Sequence, residues 1–438
     1  MNSAGFLGYS DGKVRRVAEI ALLGGAAMRA GYAFLRPPVG GLGEADNVAV
    51  AIASGRGIAD AYHLGQGATA HLMPVSPGIA GGVYALVGIR SPASWVILSA
   101  WSIALSLLSI ILLSRVFGRL GVTERTRMLA TAYLSLVPVY LGQEAVVFGV
   151  WEGALAVVLM AGVLLQLTEE GGRATLAARA KLAATTAITA FVNPLLGLAG
   201  FGAAVIGNRR TWSFGQTAGF IALSAVACAG LFGPWAVRNQ RLLGAPVITR
   251  SNAGLELALA TNSEMLGNRP HEDVFYEQLA RIHPTANANA YRQVQAIGEV
   301  AYSRRLGDDA SRWIKAHPVE EAQLILFHLR NSFAPEPWLF RIWTKAPGSG
   351  VRSVLASLAG VLGLAGIALG LIQRRRGWIL IAIMVCGPAA LLSPFQPISR
   401  YIYIFYTMLV FSAAFAIGEM ASIRGRRRTA TDASTSST

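Results

Sequence analysis

The stretch VAEIALLGGAAMRAGYAFL, from Val17 to Leu35, decides the structural class of this protein. It is largely apolar, and as a helix it is long enough to cross a hydrocarbon layer of about 30 Å. Arg29 interrupts it, and the basic segment 13–16 precedes it. A cleavable signal peptide is the alternative interpretation of such a beginning. No small-residue cleavage site follows, and Arg36 with two prolines comes next, which favours a transmembrane helix.

The composition extends this interpretation to the whole chain. Of its 438 residues, 53% are hydrophobic and 14% are charged, and the mean hydropathy is +0.48. Such values argue against a soluble protein and are typical of an all-α polytopic membrane protein. Hydropathy and charge together predict about ten transmembrane helices. The predicted spans are residues 17–35, 92–114, 127–142, 148–167, 180–191, 194–207, 214–234, 351–372, 377–393 and 400–419.

The formal net charge of +15 lies in short clusters between the hydrophobic spans. If those loops are cytoplasmic, every second loop is basic, as the positive-inside rule requires. The pattern predicts a multi-pass protein of a bacterial-type plasma (inner) membrane with both termini cytoplasmic, in contact with membrane lipids. It predicts no nucleic-acid partner, because no basic patch is interleaved with aromatic residues. The clusters are 115–127, 173–181, 209–210, 374–376 and 424–428.

Two long loops on the predicted outer face divide the chain. The first loop, residues 36–91, belongs to an N-terminal transmembrane core of residues 1–235. The second loop covers residues 236–350, and transmembrane helices follow over 351–420. Short apolar segments in both loops predict interfacial helices. Residues 421–438 form a polar tail that we expect to be disordered. Because the other connections are short, chemistry outside the membrane must reside in the two loops.

The first loop contains two carboxylates in GLGEADNVAVAIASGRG, residues 41–57. Glu44 and Asp46 would lie at the outer membrane surface, covered by apolar residues, where either could act as a general base. The alternative is structural, because acids near the beginning of a helix are stabilised by the helix dipole. The residues alone leave these two interpretations open.

Two arginines are predicted at the headgroup level of the outer leaflet. Arg238 follows the seventh span, and Arg400 precedes Tyr401 at the start of the last span. A guanidinium group there can bind a lipid phosphate through two parallel hydrogen bonds. The alternative is that both side chains extend to the interface beside aromatic residues.

The six histidines show no metal-ligand spacing. His71 and His63 are eight residues apart in the first loop, and such a pair is more often polar surface than ligand. The sequence therefore predicts no metal site, although it does not decide whether a metal is needed. No glycine loop for a nucleotide phosphate is present either, so no cofactor is predicted.

Five stretches, in this order, resemble the GT-C superfold glycosyltransferases, specifically the family 39/83-like enzymes related to protein O-mannosyltransferases and the aminoarabinose transferase of lipid A. The first is the span that carries Arg29. The others are the first-loop segments GEADNVAVAIASGRG and ATAHLMPVSPGIAGGVYALVG, then PWAVRNQRLLGAPVITRSNAGLELALATN, and finally SRYIYIFYTMLVFSAAFA, at residues 43–57, 68–88, 234–262 and 399–416.

The resemblance implies a GT-C-like bundle that takes a sugar from a polyprenyl-phosphate carrier and delivers it to a glycan, lipid or protein acceptor on the outer face. It also implies a catalytic acid in the first loop. Relatives often carry an Asp-Glu pair there, whereas Gly43 precedes Glu44 in this chain. Glu44, or else Asp46, would be the base, and Arg238, Arg400 and Tyr401 would bind the donor phosphate. The candidates for loop contacts to the substrates are His71, Asn239 and Asn262.

Two other functions remain open from the sequence. A transporter or flippase of lipid-linked sugars would carry charged residues deep in several spans and would show repeated halves, and neither feature is evident. A catalytically inactive relative is the second, and the glycine at position 43 is its main support. The identity of the sugar, the carrier lipid and the acceptor, and the oligomeric state, do not follow from the sequence.

Overall fold

The computed structural model describes residues 7–37, 41–169, 175–342 and 348–435, with side chains up to position 423. Over these ranges the chain forms α-helices and three short 3-10 helices, and it forms no β-strand. The helices are α1 (Gly12–Leu35), α2 (Glu44–Ala53), α3 (Val75–Val87), α4 (Pro92–Arg119), α5 (Glu124–Leu136), α6 (Leu141–Ala145), α7 (Gly153–Thr168), α8 (Leu176–Val192), α9 (Pro194–Asn208), α10 (Phe214–Leu243), α11 (Ala253–Ala260), α12 (His271–Ile282), α13 (Ala288–Ile297), α14 (Glu299–Ala316), α15 (Pro318–Phe333), α16 (Ser349–Ile372), α17 (Trp378–Leu392) and α18 (Ser399–Thr435).

The prediction of an all-helical membrane protein is confirmed, since helix covers every predicted span at least in part. Among the described residues, α4, α10, α16 and the first 25 residues of α18 are long and apolar enough to cross a membrane. A bent pair, α5 with the segment Leu141–Gly149, would make a fifth crossing. Helices α7, α9 and α17 are apolar but only about 23 Å long. The count of ten crossings therefore stays a prediction.

The predicted span 127–142 is not continuous, and this part of the prediction is wrong. Helix α5 ends at Leu136, and α6 with the 3-10 helix Val147–Gly149 continues at 79° to it. Pro138 follows the break, and a proline disfavours helical backbone at the residue before it. The bend leaves carbonyl groups at the end of α5 inside the protein, where they need donors.

Arg29 of α1 supplies those donors. Its side chain is 0% exposed, and it donates to the carbonyls of Leu134 and Ser135 at 2.9 and 2.7 Å. It also donates to the Glu144 carboxylate of α6, with Nη2 2.6 Å from Oε2. An arginine in a membrane protein is costly unless it is paired in this way. The first span, the bend and α6 are therefore held as one unit.

Close packing places α18 against α16. A β-carbon added at Gly363 would lie 2.6 Å from the Leu409 carbonyl oxygen, and one at Gly366 would lie closer still to that of Ser412. Small residues at such positions let two helix backbones approach, as is common between transmembrane helices. This contact sets the position of α18, whose first turn carries Arg400 and Tyr401.

The two long loops contain helices that pack on one another. Tyr62 of the first loop lies in an apolar cluster with Leu255 of α11, Val294 of α13 and Tyr302 of α14. Helix α10 continues through Pro234 to Leu243, past residue 234 where the seventh span is predicted to end. The structure continues α18 to Thr435, and residues 436–438 of the predicted disordered tail lie outside the described residues. The domain boundaries and the disorder of the tail stay predictions.

We expect Arg29→Met to destabilise the protein by about 3–5 kcal/mol, because Glu144 and two carbonyls would lose their buried partner. The measurement is thermal unfolding of the purified protein in detergent. Arg16→Ala, at an exposed position on the same helix, is the matched control. The double variant Arg29→Met with Glu144→Leu should recover part of the loss. Equal melting of Arg29→Met and Arg16→Ala would contradict the role of this pair.

Candidate functional site

The first-loop acids lie in the first turn of α2, about 200° apart around the helix axis. Gly43 precedes them at the N-cap, with φ 79° and ψ −155°. This backbone region is essentially restricted to glycine. An aspartate at position 43 would therefore be strained in this conformation.

Asp46 is held by Tyr84 of α3 and by Arg90, two residues before α4. Its side chain is 1% exposed, Tyr84 donates a hydrogen bond to Oδ1, and Arg90 donates to Oδ2 through Nε at 2.8 Å. The backbone N–H of Leu42 also donates to Oδ2, at 3.4 Å. This contact resembles the structural alternative, in which an acid stabilises the helix start. The structure therefore places Asp46 away from Glu44, in a network of its own.

Glu44 faces two histidines from the opposite side of α2. The residue is 7% exposed, and its Oε1 lies 3.8 Å from His283 Nε2. One ligand atom from each of Glu44, His71 and His283 lies within 4.8 Å of the others. Two buried atoms, Glu44 Oε2 and His71 Nδ1, have no hydrogen-bond partner among the described residues. A carboxylate and two imidazoles with such unmet bonding capacity could hold a divalent metal or a substrate proton.

We expect the side chains of both histidines to be uncharged. Burial lowers the pKa of His71 well below its usual value, and His283, Arg250 and Arg400 lower it further. Burial also lowers the pKa of His283, although Glu44 opposes this effect. The Nδ1 atom of His283 lies 2.6 Å from the Thr285 hydroxyl, which fixes the ring orientation. Neutral imidazoles keep a lone pair that can accept a proton or bind a metal.

Arg400 lies on the α18 side of this cluster. The carbon at the centre of its guanidinium group is 3.7 Å from the ring centroid of Trp151, and its Nη2 donates to the Tyr401 hydroxyl at 3.3 Å. Its charge interacts with Glu44 and with both histidines of the cluster. The structure therefore brings together four of the predicted residues, Glu44, His71, Arg400 and Tyr401.

A cavity of about 190 Å³ lies beside Tyr401. One group of its lining residues is polar and includes Glu152, Arg250, Asn252 and Glu256. Arg250 forms an ion pair with Glu152, which raises the pKa of Arg250 against the lowering by burial. Burial raises the pKa of Glu256. The remaining lining residues are mainly apolar, among them Leu195, Leu392, Phe395 and Ile404. The cavity thus suits a molecule with a charged head and an apolar chain.

Three predicted residues have other partners in the structure. Arg238 donates to the carbonyl oxygens of Thr69, at 2.6 Å, and of Ile58, so its guanidinium group binds the backbone of the first loop. Asn239 donates to the Val247 carbonyl at 2.7 Å. Asn262 accepts from a backbone N–H at 3.1 Å and begins the 3-10 helix Ser263–Leu266. These contacts favour a structural role for all three.

Sequence reasoning missed His283, Arg250 and Glu256. Nothing in the spacing of the histidines distinguishes His283, because its meeting with Glu44 depends on how the two loops pack. Arg250 and Glu256 lie in the stretch that resembles the glycosyltransferases but were not singled out. A lone carboxylate in the apolar helix AGLELALA was a signal that could have identified Glu256.

Comparison with solved structures identifies the fold. The chain is similar to the archaeal oligosaccharyltransferase AglB from Archaeoglobus fulgidus, solved in complex with an inhibitory peptide and a dolichol-phosphate, with a TM-score of 0.53, 14% identity and coverage of 96% of this chain and 52% of that chain. The same organism's oligosaccharyltransferase in complex with Zn and sulfate gives a TM-score of 0.52, 16% identity and coverage of 94% and 50%. For ArnT from Cupriavidus metallidurans, bound to undecaprenyl phosphate, the TM-score is 0.36 and the identity is 16%, with coverage of 94% of this chain and 79% of that chain. No protein-family model and no curated protein matches the chain.

The two comparisons with the oligosaccharyltransferase, at TM-scores of 0.53 and 0.52, establish a shared fold, and the predicted GT-C-like architecture is confirmed at that level. The chain spans about half the length of the oligosaccharyltransferase that it matches.

The two acids should respond differently to loss of charge. We expect Asp46→Asn to cost about 1–3 kcal/mol of stability, because Arg90 loses its charged partner. Glu44→Gln should leave stability unchanged or raise it slightly, because one oxygen of Glu44 has no partner to lose. Thermal unfolding of both purified variants measures the difference. A larger loss for Glu44→Gln than for Asp46→Asn would contradict this assignment.

Proposed function

We propose that this protein is a membrane glycosyltransferase that moves a sugar from a polyprenyl-phosphate-linked donor to an acceptor on the outer (periplasmic) face. One observation carries the proposal: Glu44, a buried glutamate with an unpartnered oxygen, interacts with the charge of the half-buried Arg400 where the two long loops meet. The shared fold adds support, because the matched oligosaccharyltransferase was solved with a dolichol-phosphate.

The amphipathic cavity supports a lipid-linked donor. Arg250 lines the cavity, and Arg400 precedes the lining residue Tyr401; both arginines would bind the donor phosphate, and Tyr401 would orient Arg400. The apolar lining near Phe395 and Ile404 would contact the first units of the polyprenyl chain. A phosphate held by guanidinium groups is stabilised as its charge grows in the transition state.

Glu44 would be the general base. In the proposed step its carboxylate takes the proton of the acceptor hydroxyl, and the acceptor oxygen forms a bond to the anomeric carbon. The bond from that carbon to the phosphate oxygen breaks, and the lipid phosphate leaves with the electron pair. A single displacement of this kind inverts the anomeric centre. Asp46 is less suited to the role, because Arg90 and Tyr84 already bind its oxygens.

Glu44, His71 and His283 would also fit a divalent metal. Two imidazoles and one carboxylate, with room for a further ligand, are typical of zinc sites that act on substrates. The matched oligosaccharyltransferase in complex with Zn and sulfate makes the fit worth testing. A metal there would polarise a substrate oxygen. It would also balance the charge where three carboxylates, Glu44, Glu152 and Glu256, face two guanidinium groups.

We expect Glu44→Gln to reduce sugar transfer by about 10²-fold to 10⁴-fold, the range typical of general bases. The measurement is transfer by membranes containing equal amounts of each variant, with a panel of radiolabelled polyprenyl-phosphate sugars and with glycan, lipid and protein acceptors. Arg400→Gln should raise the KM for the donor. Asp308→Asn, at an exposed acid, is the control.

Three outcomes of this assay, combined with a transport assay in vesicles, would contradict the proposal. Full transfer by Glu44→Gln would remove Glu44 from the role of base. If the wild type transfers no sugar but carries lipid-linked sugar across vesicles, the protein is a transporter. If it does neither, the inactive relative is favoured.

The metal site makes a separate prediction. Purified protein exposed to Zn²⁺ and then dialysed should retain about one ion per chain, as a site with three buried ligands requires. His283→Gln and His71→Gln should each lower the affinity at least about tenfold. His317→Gln, outside this cluster, is the matched control. Metal content by mass spectrometry, together with the absorption spectrum after Co²⁺ substitution, reports binding without any turnover. Equal zinc retention by all three variants would exclude this site.

A further inference from the structure

A buried carboxylate outside the cluster joins the two long loops. Glu299, the first residue of α14, is 4% exposed. Its oxygens accept hydrogen bonds from the Thr69 hydroxyl and the Ala70 backbone N–H, both at 2.6 Å. They also accept from the Ser251 hydroxyl at 2.8 Å and from the Gln66 amide at 3.2 Å. Three of these donors belong to the first loop, and Ser251 belongs to the second.

Two of the four donors are direct chain neighbours of residues in the site. Ala70 precedes His71, and Ser251 follows Arg250. The His71 backbone N–H donates to the Thr69 hydroxyl at 3.1 Å, so Thr69 links it to Glu299. The Ser251 N–H donates to the Ala70 carbonyl at 2.9 Å, which joins the two loops next to the same carboxylate.

Helix α14 holds this junction rigidly. The Ser303 hydroxyl, one turn after Glu299, accepts from the N–H groups of Gly254 and Leu255 at the start of α11. A β-carbon on Gly254 would collide with the Ser303 carbonyl, so the two helices are in close contact. The guanidinium group of Arg238 also donates a hydrogen bond to the Thr69 carbonyl oxygen at this junction.

We propose that Glu299 is a positioning residue, which holds His71 and Arg250 in one site by binding both loops. The inference rests on the proposed function for its catalytic consequence, but not for its structural content. Burying a carboxylate is costly unless its lone pairs are used, and here four donors use them. Small displacements of groups that bind substrates reduce reaction rates strongly, so we expect the loss of the hydrogen bonds to Glu299 to lower the rate of transfer strongly.

The first test needs no turnover. In Glu299→Gln, hydrogen–deuterium exchange at the amides of Ala70 and His71 should become about tenfold to a hundredfold faster, as expected when charged hydrogen bonds are lost. Exchange in the transmembrane helices should not change. Asp308→Asn, exposed on the same helix, is the matched control. Faster exchange throughout the protein would show a general structural role and overturn the proposal, as would unchanged exchange at these amides.

A second set of variants covers the case in which Glu299→Gln does not fold. Thr69→Val and Ser251→Ala each remove one donor and leave the carboxylate in place. Each should increase exchange in the segment of its own loop, 66–71 or 249–252. No change in either variant would overturn the proposal.

A double-mutant cycle tests whether the hydrogen bonds accepted by Glu299 affect catalysis. If Glu299 acts through His71, the losses in kcat/KM from Glu299→Gln and His71→Gln are not additive, and the double variant resembles His71→Gln. Additive losses would mean that Glu299 does not act through His71. If the exchange results hold but no donor supports transfer, the proposed function fails while the positioning role stands.

Discussion

The ion pair between Arg29 and Glu144 determines the geometry on which the rest of the structure depends. A guanidinium group that is 0% exposed inside a membrane protein must be fully paired, and this one binds a carboxylate and the carbonyls that α5 leaves open at its bend. Glu144 is thereby fixed on α6. The neighbouring Gln143 donates to the Ser399 hydroxyl at 2.9 Å, which ties α6 to the first turn of α18. A series of contacts thus runs from Arg29 to the first turn of α18, which carries Arg400 and is also positioned by the packing of α18 on α16.

The same bend supports the acidic loop. Trp151, which follows the 3-10 helix after α6, donates through its indole N–H to the Leu42 carbonyl at 3.0 Å, just before α2. Its ring also lies against the Arg400 guanidinium group. A single aromatic side chain therefore contacts both the approach to Glu44 and the arginine of α18. The indole of Trp151 thus contacts both sides of the site, and the hydrogen bonds accepted by Glu299 hold the chain neighbours of His71 and Arg250 on the side of the loops.

The sequence was sufficient to predict those parts that depend on hydropathy and on order along the chain. Helices and long loops follow from such one-dimensional features, whereas the catalytic roles of Glu44 and Arg400 stay predictions. Arg238 and Arg400 look alike in sequence, each beside an aromatic residue at the end of a span, and only packing separates a backbone contact from a place in the cluster. His283 could not be predicted, because its role depends on the folding of a long loop. The need for glycine at position 43 could likewise not be predicted from the sequence, because it depends on the backbone dihedral angles of that residue.

The charged cluster joins widely separated parts of the polypeptide, and this has a consequence for biosynthesis. Glu44 follows α1, whereas Arg400 stands on α18, and His71, Arg250 and His283 come from the loops between them. During translation, the carboxylate emerges from the ribosome more than three hundred residues before its arginine. No nascent chain that stops short of α18 can hold the complete cluster. If the proposed transfer needs this cluster, it can begin only after α18 has packed against the preceding helices.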